Sequence, residues 1–489
     1  MASSDCLLVP PRFYQLKRCN TIGLDDRLSA FPNEILHHIL SRLTVKELVA
    51  TSIFSKRWKH LWVSCPSLDF GCAQAFRHLD KGSFIHIVNK VIECYDGKKL
   101  NKIRVAYPLD EDSNCDINNW IVFAIANGVS MFELNFIDIN LSTRPNGYYL
   151  SADIFRGGKM MDRKHICNSL FIKSISVDKH YESVTEFRLT CVNLSDEVFE
   201  IILSRCLSLE KFFLMNNYSL VNARNSNPHP KLRCFELYFC KDLENVEIVA
   251  PNLLSFKYQG IMTNICIKDS LELVSLRLST GILRLEPTDF IYSGGKDFFI
   301  RQFASNLSKL ESLTVQVNIF EDMSAFAKLP AFANLKQLVL DVMSSAEVPL
   351  GYVAVVSFMK AAPNLQQLEL NLQRSKLGGY EKRARKLCSM SPHHNLKEFK
   401  LIGFLGDANC VKFVTNFLKH VVSLQKIDIT IGLAVRIGED TFVNRQRLFK
   451  SRKAKRCEKS LQQLRERLPL NVRFSLHGQT ALLLAGQIS

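Results

Sequence analysis

The chain has 489 residues, of which 47% are apolar and 22% are charged, and its formal net charge is +16 at pH 7. This composition is ordinary for a folded soluble protein and excludes wholesale disorder. The length exceeds what one compact core usually holds, so we expect either two to four domains or one long repeat array.

The N-terminal residues, the apolar runs and the cysteines indicate the cellular compartment. Residues 1–24 are predicted to be a tail, and they lack the sustained apolar core of a secretory signal. The longest apolar runs, such as residues 121–126 and 353–356, are far too short to span a bilayer. Fifteen scattered cysteines form no CxxC pair, so we expect buried thiols in a reducing compartment and no zinc site. These features predict a protein of the nucleus, the cytoplasm or both, without a membrane partner.

Three short helices are predicted in residues 25–70, whose last 45 residues read DRLSAFPNEILHHILSRLTVKELVATSIFSKRWKHLWVSCPSLDF. Pro32 suits the first turn of a helix, and apolar residues follow it at helical spacing. Thr44 and Glu47 make a T-x-x-E capping box, which predicts the start of a second helix. Ser55 can cap a third helix. The apolar positions of the first and third helices are Ile35, Leu36, Ile39, Leu40, Leu43, Phe54, Trp58, Leu61 and Trp62.

Such a small module cannot bury this much apolar surface internally, which predicts a partner surface. The stretch resembles the plant F-box at nearly every signature position, with Phe31 in place of the usual Leu and Thr44-Val45 in place of Pro-Thr. The resemblance implies binding to a Skp-family adaptor, which docks on a cullin. Carried over position by position, the adaptor contacts would be Leu28, Pro32, Ile35, Leu36, Ile39, Leu43, Leu48, Trp58 and Trp62.

An alternative interpretation of these apolar residues is that they only form the core of the module itself. For Ile39 and Leu40 the sequence does not decide between core and interface. For Pro32 and the stripe along the first helix it favours the interface, because three short helices hold too little internal volume for all of these side chains.

One short phrase recurs along the chain after the N-terminal module: leucine, two residues, apolar, one residue, apolar. An earlier copy is predicted at Val129, and a 37-residue step between Leu273 and Leu310 contains Gly294-Gly295, an expected insertion. Most intervals lie near the 20–29 residues of leucine-rich repeats. We therefore predict an α/β fold, with a leucine-rich-repeat solenoid over residues 71–395: a curved parallel sheet with helices and loops on its convex side. The ten copies begin at Val184, Leu209, Leu232, Leu253, Leu273, Leu310, Leu335, Leu365, Leu396 and Leu424.

Alternation along each strand predicts an exposed concave face between the buried positions. This alternation predicts that Asn371 is exposed in the copy that begins at Leu365. It predicts the same for Ser279 and Ile402 in two other copies. Each such residue alone is more readily explained as merely solvated, but together they form the default partner surface of a solenoid. No basic ladder repeats along this face, which makes nucleic acid an improbable partner. The candidate substrate contacts are Glu236, Tyr238, Arg277, Gln367, Glu369 and Lys400.

The last part of the chain contains a terminal repeat and a basic segment. Residues 396–432 resemble the FBD segment that closes many plant F-box/leucine-rich-repeat proteins, although capping the end of the array is a sufficient role for them. Residues 433–489 are predicted to be a basic helix and cap, with the helix from Phe442 to Leu468 and with Leu461 and Leu464 on its drier side. Half of the net charge lies between residues 441 and 468. Residues 450–459 fit either a nuclear import signal or a solvated helix.

No catalytic or metal motif occurs in the sequence: GxxxxGK[ST], GxGxxG, HExxH and GxSxG are all missing. We therefore expect no catalytic residue, metal or cofactor. The resemblance implies the substrate-recognition subunit of an SCF-type (Skp–cullin–F-box) E3 ubiquitin ligase, a receptor that is not itself an enzyme and that captures a protein substrate. The alternatives are a basic nucleic-acid-binding or scaffolding repeat protein, an enzyme of unrecognised type, and a receptor whose concave face holds a small molecule together with a protein.

Overall fold

A computed structural model describes most of the chain in two compact units, one within residues 1–250 and one within residues 251–489. The predicted helix cap Ser55, the insertion around Gly294-Gly295 and most of the basic segment lie outside the described residues. The described residues are 28, 30–52, 54, 56–71, 76, 79–97, 99–137, 147–156, 181–261, 263–280, 309–318, 329–344, 351–374, 391–404, 406, 408–431, 434–437, 441–444, 459–466 and 472–477.

Three helices open the first unit, as predicted: α1 (Asn33–Leu40), α2 (Val45–Thr51) and α3 (Lys56–Leu61). Pro32 is the N-cap residue of α1, so that helix begins one residue later than predicted. The capping box of α2 is confirmed, because the Thr44 amide donates to the Glu47 carboxylate at 2.8 Å and the Glu47 amide donates to the Thr44 hydroxyl at 3.5 Å. A single 3₁₀ turn, Trp62–Ser64, follows α3 and leads directly into the first strand.

Parallel strands form the main sheet of the first unit in the order β1-β2-β3-β5-β7-β9. The fourth position of the repeat phrase is aromatic in four neighbouring strands, which aligns Phe132, Phe187, Phe212 and Phe235. Successive ring centroids in this row lie 5.2, 6.4 and 5.6 Å apart. Each ring buried in this way contributes roughly 1.5–3 kcal/mol. The strands are β1 (Ser67–Phe70), β2 (Lys102–Ala106), β3 (Met131–Asn135), β5 (Glu186–Thr190), β7 (Lys211–Met215) and β9 (Cys234–Tyr238).

Helices and short strands complete the repeats of the first unit. Asp80 and Ser195 cap α4 and α7 through their side-chain oxygens, as N-cap residues do. Phe199 of α7 packs edge-to-face on Phe212, which fixes the helix on the sheet. Two small parallel pairs, β4 with β6 and β8 with β10, lie apart from the main sheet. The elements are α4 (Lys81–Cys94), α5 (Asn114–Ala126), α6 (Asp153–Arg156), α7 (Asp196–Arg205), β4 (Tyr148–Tyr149), β6 (Val192–Asn193), β8 (Asn222–Arg224) and β10 (Asn245–Val249).

Three neighbouring strands of the main sheet, β5, β7 and β9, are each followed by a residue with a left-handed backbone. Cys191, Asn216 and Phe239 have φ values of 56°, 55° and 53°. The amide of Cys191 donates to the carbonyl of Met215, and the amide of Asn216 donates to that of Tyr238, both at 2.9 Å. The bend therefore recurs at the same register position and turns the chain away from the sheet at the end of each strand.

The second unit continues the same pattern, with parallel strands in the order β11-β13-β14-β15-β16-β17-β18-β21. A bulge interrupts β17 at Gly403, whose φ is +88° and where a Cβ would lie 2.3 Å from the carbonyl oxygen of Leu372. The strands and helices are β11 (Ser255–Gly260), β12 (Asn264–Lys268), β13 (Ser275–Thr280), β14 (Ser312–Asn318), β15 (Gln337–Ser344), α8 (Gly351–Ala361), β16 (Gln367–Arg374), β17 (Glu398–Phe404), α9 (Ala408–Leu418), β18 (Lys426–Ile431), β19 (Ala434–Ile437), β20 (Thr441–Asn444) and β21 (Arg473–His477).

The predicted repeat series is confirmed strand by strand. Each of the ten copies of the phrase begins two residues before a strand of a main sheet, and the earlier copy at Val129 does the same before β3. β13 and β14 are in-register neighbours, so the 37-residue step joins adjacent strands. The α/β class with N-terminal helices and a leucine-rich-repeat array is therefore correct.

The structure corrects the predictions at both ends of the array. β1 and β2 precede the predicted series, and β1 lies inside the range assigned to the N-terminal module. A helix from Phe442 is wrong, because residues 441–444 form a strand antiparallel to β19. Residues 459–465 are helical, with Leu461 and Leu464 buried as predicted. β21 then adds a strand beside β18, so residues 396–432 are followed by one more repeat strand.

Candidate protein-binding surfaces

A row of exposed apolar side chains runs along one side of α1. Ile35 and Ile39 lie one turn apart and are 48% and 38% exposed, and Phe31, which precedes the helix, is 47% exposed. Leu28 is exposed beside it, as is Pro32. We name Leu28, Phe31, Pro32, Ile35 and Ile39 the α1 row. A contiguous apolar surface on so small a module is typical of a protein-binding site.

The core of the N-terminal module is built from other residues, and four predicted adaptor contacts are corrected on this ground. Leu36, Leu48, Trp58 and Trp62 are all buried, as is Leu40, while Leu43 is half-buried. Leu36 and Leu40 lie about 100° around α1 from Ile35 and Ile39, on the side that faces α2 and α3. Their burial leaves no surface for direct contact with a partner. It also decides the alternative that the sequence left open, since Leu40 is core and Ile39 is exposed.

Phe54 enlarges the exposed apolar surface of the module. Its side chain is 61% exposed, and its ring packs edge-to-face on Trp58 with 5.8 Å between centroids. The sequence placed Phe54 on the apolar side of the third helix together with Trp58, but Phe54 was not among the contacts carried over from the family resemblance. The available signal was its position two residues before α3, because a residue outside a helix need not lie on the apolar side of that helix.

Polar contacts link the helices of this module to one another. The Arg57 guanidinium donates to the carbonyl oxygen of Phe31 at 2.9 Å and to Oδ1 of Asn33 at 2.5 Å. His37 Nε2 lies 3.1 Å from the Ser64 hydroxyl. These bonds tie the start of α1 to α3 and the middle of α1 to the 3₁₀ turn that follows α3.

The module is also joined to the first strands without a linker. The Asp96 amide donates to the Val63 carbonyl at 2.9 Å, and the Asn101 amide donates to the Pro66 carbonyl at 2.7 Å. Cys65, which lies between Val63 and Pro66, is buried, and burial raises the pKa of its thiol to about 11. The three helices and the first repeats of the unit therefore share backbone hydrogen bonds.

Charged side chains on the sheet face of the first unit pair with one another across neighbouring strands. Asp69 accepts from Lys102 at 3.0 Å and lies 3.8 Å from Arg104, which donates to Glu133 at 3.0 Å. Further along, the Arg188 guanidinium lies 4.4 Å from the ring centroid of Phe213. Alternating signs neutralise this ladder, so it does not present the run of unpaired cations that would follow a phosphate backbone.

Two predicted substrate contacts in the first unit are corrected. Tyr238 is fully buried and Glu236 is 7% exposed, although alternation along β9 predicted both to be open to solvent. The ring of Tyr238 packs against Phe213 at 5.4 Å between centroids, and its hydroxyl donates to Glu236 at 3.3 Å. Neighbouring aromatic side chains thus close over these positions and remove them from the accessible face.

In the second unit, the remaining predicted contacts are accessible to different degrees. Gln367 is exposed, while Arg277, Glu369 and Lys400 are half-buried. The Lys400 ammonium donates to Glu369 at 3.0 Å. The structure therefore brings Glu369 and Lys400 together and keeps both at the surface.

The next row along the same strands is closed, which corrects the prediction that Asn371, Ser279 and Ile402 are exposed. Asn371 is 1% exposed, and its Nδ2 donates to Asp341 at 2.5 Å and to Glu369 at 3.1 Å. The accessible part of this face is therefore formed by the row that contains Glu369 and Lys400 and by Gln367, two residues before Glu369 on β16.

The described residues show no feature of a catalytic or metal centre. Within the ranges given above, no three His, Cys, Asp or Glu side chains are placed to hold a metal ion. Burial raises the pKa of Cys206 and Cys240 to about 12 each, so neither is a thiolate nucleophile at neutral pH. Among the same residues, no helix has both the length and the apolar content needed to cross a membrane.

Comparison with known proteins gives two family matches and a set of plant relatives. Residues 94–473 match the family described as At1g61320/AtMIF1, LRR domain, and residues 28–70 match the F-box domain. The F-box/FBD/LRR-repeat protein At2g26030 of Arabidopsis thaliana is 23% identical over 465 residues, which cover 88% of this chain and 98% of the relative. The F-box/LRR-repeat protein At3g03360 of the same plant is 26% identical over 366 residues, covering 71% and 70%. The putative F-box/FBD/LRR-repeat protein At5g44950 is 23% identical over 461 residues, covering 88% and 98%.

Proposed function

This chain belongs to the leucine-rich-repeat family described as At1g61320/AtMIF1, LRR domain, and carries an F-box at its N-terminal end, and on that premise we propose that it is the substrate-recognition subunit of an SCF-type E3 ubiquitin ligase. In this proposal the F-box binds a Skp-family adaptor and, through it, a cullin. The repeat array captures a protein target for ubiquitination. The observation that carries the proposal is the α1 row, an apolar surface on a module whose core is already complete.

The α1 row is available to a partner because other residues form the core of the module. Leu36, Leu40, Leu48, Trp58 and Trp62 fill the space between the three helices. Ile35 and Ile39 lie outside this core and keep 48% and 38% of their surface exposed to water. Covering an exposed aliphatic side chain of this size stabilises an association by roughly 1.5–3 kcal/mol. The adaptor contacts that we propose are accordingly Leu28, Phe31, Pro32, Ile35, Ile39 and Phe54.

The repeat array supports a receptor role because its open face is polar and heterogeneous. Glu369 and Lys400 place a carboxylate and an ammonium 3.0 Å apart, and Gln367 adds an amide two residues before Glu369 on β16. Such a set can form hydrogen bonds with a protein surface. We assign the candidate substrate contacts to these three residues and to Arg277. Glu236 and Tyr238 are excluded from the set because they are buried.

We propose that the chain has no catalytic role. The two family matches are to a repeat domain and to an F-box, and the buried cysteines described above have pKa values too high for thioester chemistry. In a ligase of this class the thioester chemistry belongs to other subunits. We further propose that the complex acts in the nucleus, the cytoplasm or both, which fluorescence microscopy of a tagged chain would test.

The deciding experiment is a titration of the full-length chain with a purified plant Skp-family adaptor, followed by calorimetry. Ile35→Ala/Ile39→Ala is expected to weaken binding by at least about a hundredfold, since two apolar contacts are lost. Leu271→Ala/Val422→Ala is a matched control, because it removes similar apolar surface from exposed positions outside the F-box.

The outcome separates the proposal from its main alternative. Binding that tolerates high salt, is lost in the Ile35/Ile39 variant and is kept in the control supports an SCF receptor. No binding by folded wild-type chain contradicts it. A nucleic-acid-binding repeat protein instead predicts association with DNA or RNA that weakens steeply as salt rises.

A further inference from the structure

Arg57 connects the start of α1 to α3 at the edge of the α1 row. One terminal nitrogen, Nη2, donates both to the Phe31 carbonyl oxygen at 2.9 Å and to Asn33 Oδ1 at 2.5 Å. These acceptors lie on either side of Pro32, the residue that precedes α1. The guanidinium therefore holds the entry into the helix from both sides of the proline.

Apolar packing does little to fix this entry. The side chains of Leu28 and Phe31 are each nearly half exposed, and the backbone between them closes one turn through the Phe31 amide and the Leu28 carbonyl at 3.2 Å. Pro32, the N-cap residue of α1, has no polar side-chain atom, so the helix begins without a hydrogen bond from its N-cap side chain. The bonds from Arg57 are thus the polar contacts that join this turn to a helix whose own position is set by buried Trp58.

We propose that Arg57 is a positioning residue for adaptor binding. By holding Phe31 and Asn33, it orders the turn from Leu28 to Pro32 in advance, so that the whole α1 row is presented as one surface. If this turn became ordered only on binding, the loss of its conformational entropy would lower the affinity for the adaptor. This inference rests on the proposed function, because it assigns Arg57 a role at the same surface without placing it in contact with the adaptor.

The test measures adaptor affinity by calorimetry on the full-length chain, with thermal unfolding recorded for every variant. Arg57→Ala is expected to weaken binding about three- to tenfold. Asn33→Ala removes one acceptor at an exposed position, and it carries the test if Arg57→Ala lowers the folded fraction. The double variant is expected to bind no more weakly than Arg57→Ala alone, because both changes break the same link. A loss in the double variant equal to the product of the single losses would overturn the inference.

Arg57→Lys separates positioning from simple charge attraction. Lysine keeps the positive charge, but its side chain ends one bond short of the position that Nη2 occupies in arginine and lacks the rigid plane that fixes that nitrogen between its two acceptors. We expect Arg57→Lys to lose affinity nearly as much as Arg57→Ala, with little dependence on salt. Wild-type affinity in Arg57→Lys, together with strong salt dependence, would show a direct electrostatic contact and would contradict positioning.

The proposed function and this inference fail in distinguishable ways. If the wild-type chain does not bind the adaptor, the proposed function fails. If the wild-type chain binds, Ile35→Ala/Ile39→Ala abolishes binding and Arg57→Ala binds normally, then the inference alone is wrong.

Discussion

The side chain of Asn217 donates a hydrogen bond to the carbonyl oxygen of Val192 in the preceding repeat, 3.1 Å away. Its Oδ1 accepts from the amides of Ser219 and Leu220 at 2.9 and 2.7 Å, and the residue is fully buried. Nδ2 also donates to the Leu194 carbonyl oxygen at 3.5 Å, so one buried amide pairs with four backbone groups. Such a residue joins neighbouring repeats and also closes its own turn.

Asn217→Ala is expected to lower the free energy of unfolding of the first unit by about 3 kcal/mol or more, because each buried group left unpaired costs roughly 1–3 kcal/mol. Urea denaturation measures the change. Asn364→Ala is the control, since both hydrogen bonds of this side chain, to the Ala333 carbonyl and from Asn395, are exposed to water; we expect a loss below about 1 kcal/mol. Equal losses in the two variants would contradict the assigned role.

Leu368 and Glu369 are adjacent on β16, and their substitutions are expected to lower stability by very different amounts. Leu368 is buried between strands, so Leu368→Ala should destabilise the second unit by about 2–5 kcal/mol. Glu369→Gln keeps an acceptor for Asn371 and loses only a half-exposed ion pair with Lys400. We expect it to cost less than about 1 kcal/mol. Thermal unfolding of both variants tests the assignment of faces, and a larger loss for Glu369→Gln would show that it is wrong.

The repeat strands could be predicted because each copy begins with an apolar residue at a fixed spacing from two others. β21 was missed because Asn471 stands where that first residue is expected, although Phe474 and Leu476 align with Ile427 and Ile429 of β18. β1 was missed because its copy begins with Cys65 and lies inside the stretch that resembles an F-box. A buried cysteine serves as a small apolar residue, which a search for leucine does not detect.

The exposed face was predicted less well, because alternation gives the direction of a side chain and not its accessibility. Tyr238 and Asn371 both occupy the predicted outward positions, yet both are buried. Phe213 covers the first from a neighbouring strand, and Asp341 binds the second. Both covering residues are 25 or more positions away in the chain, so local pattern could not indicate them.

The same limit applies to α1. Its sequence contains two apolar rows, one with Ile35 and Ile39 and the other with Leu36 and Leu40. Helical periodicity shows that both exist but does not decide which one faces α2 and α3. The docking of those helices buries the second row, and the α1 row remains for a partner.

His229 is predicted to make the first unit less stable at mildly acidic pH. Its Nε2 lies 3.1 Å from the Cys206 carbonyl, and its buried Nδ1 has no hydrogen-bond partner among the described residues. Burial lowers the pKa of His229 from 6.5. The bond to Cys206 raises the pKa by less than burial lowers it, and the nearby Lys231 charge lowers it further. The unfolded chain therefore binds the proton more readily than the folded chain.

The sign of the effect follows from this difference in pKa. The contribution of neutral His229 is fully present above pH 6.5 and is lost as the pH falls from there through the lower pKa of the folded state. Urea denaturation between about pH 8 and about pH 5 should show the decline, and His229→Gln should reduce it. His60→Gln, at an exposed position, is the control and should leave the decline unchanged. An equally steep decline in His229→Gln would assign it to other groups.

The buried cysteines are expected to resist alkylation in the folded chain. Cys206 and Cys240 are both inaccessible, and burial raises the pKa of each to about 12, so almost no thiolate exists near pH 8. Cys266 on β12 is exposed and provides an internal control. After brief treatment with iodoacetamide, mass spectrometry of the corresponding peptides should show modification of Cys266 and none of the two buried residues. In concentrated urea all three should react. Modification of Cys206 in the native chain as fast as that of Cys266 would mean that the first unit opens readily, since alkylation requires both exposure and ionisation of the thiol.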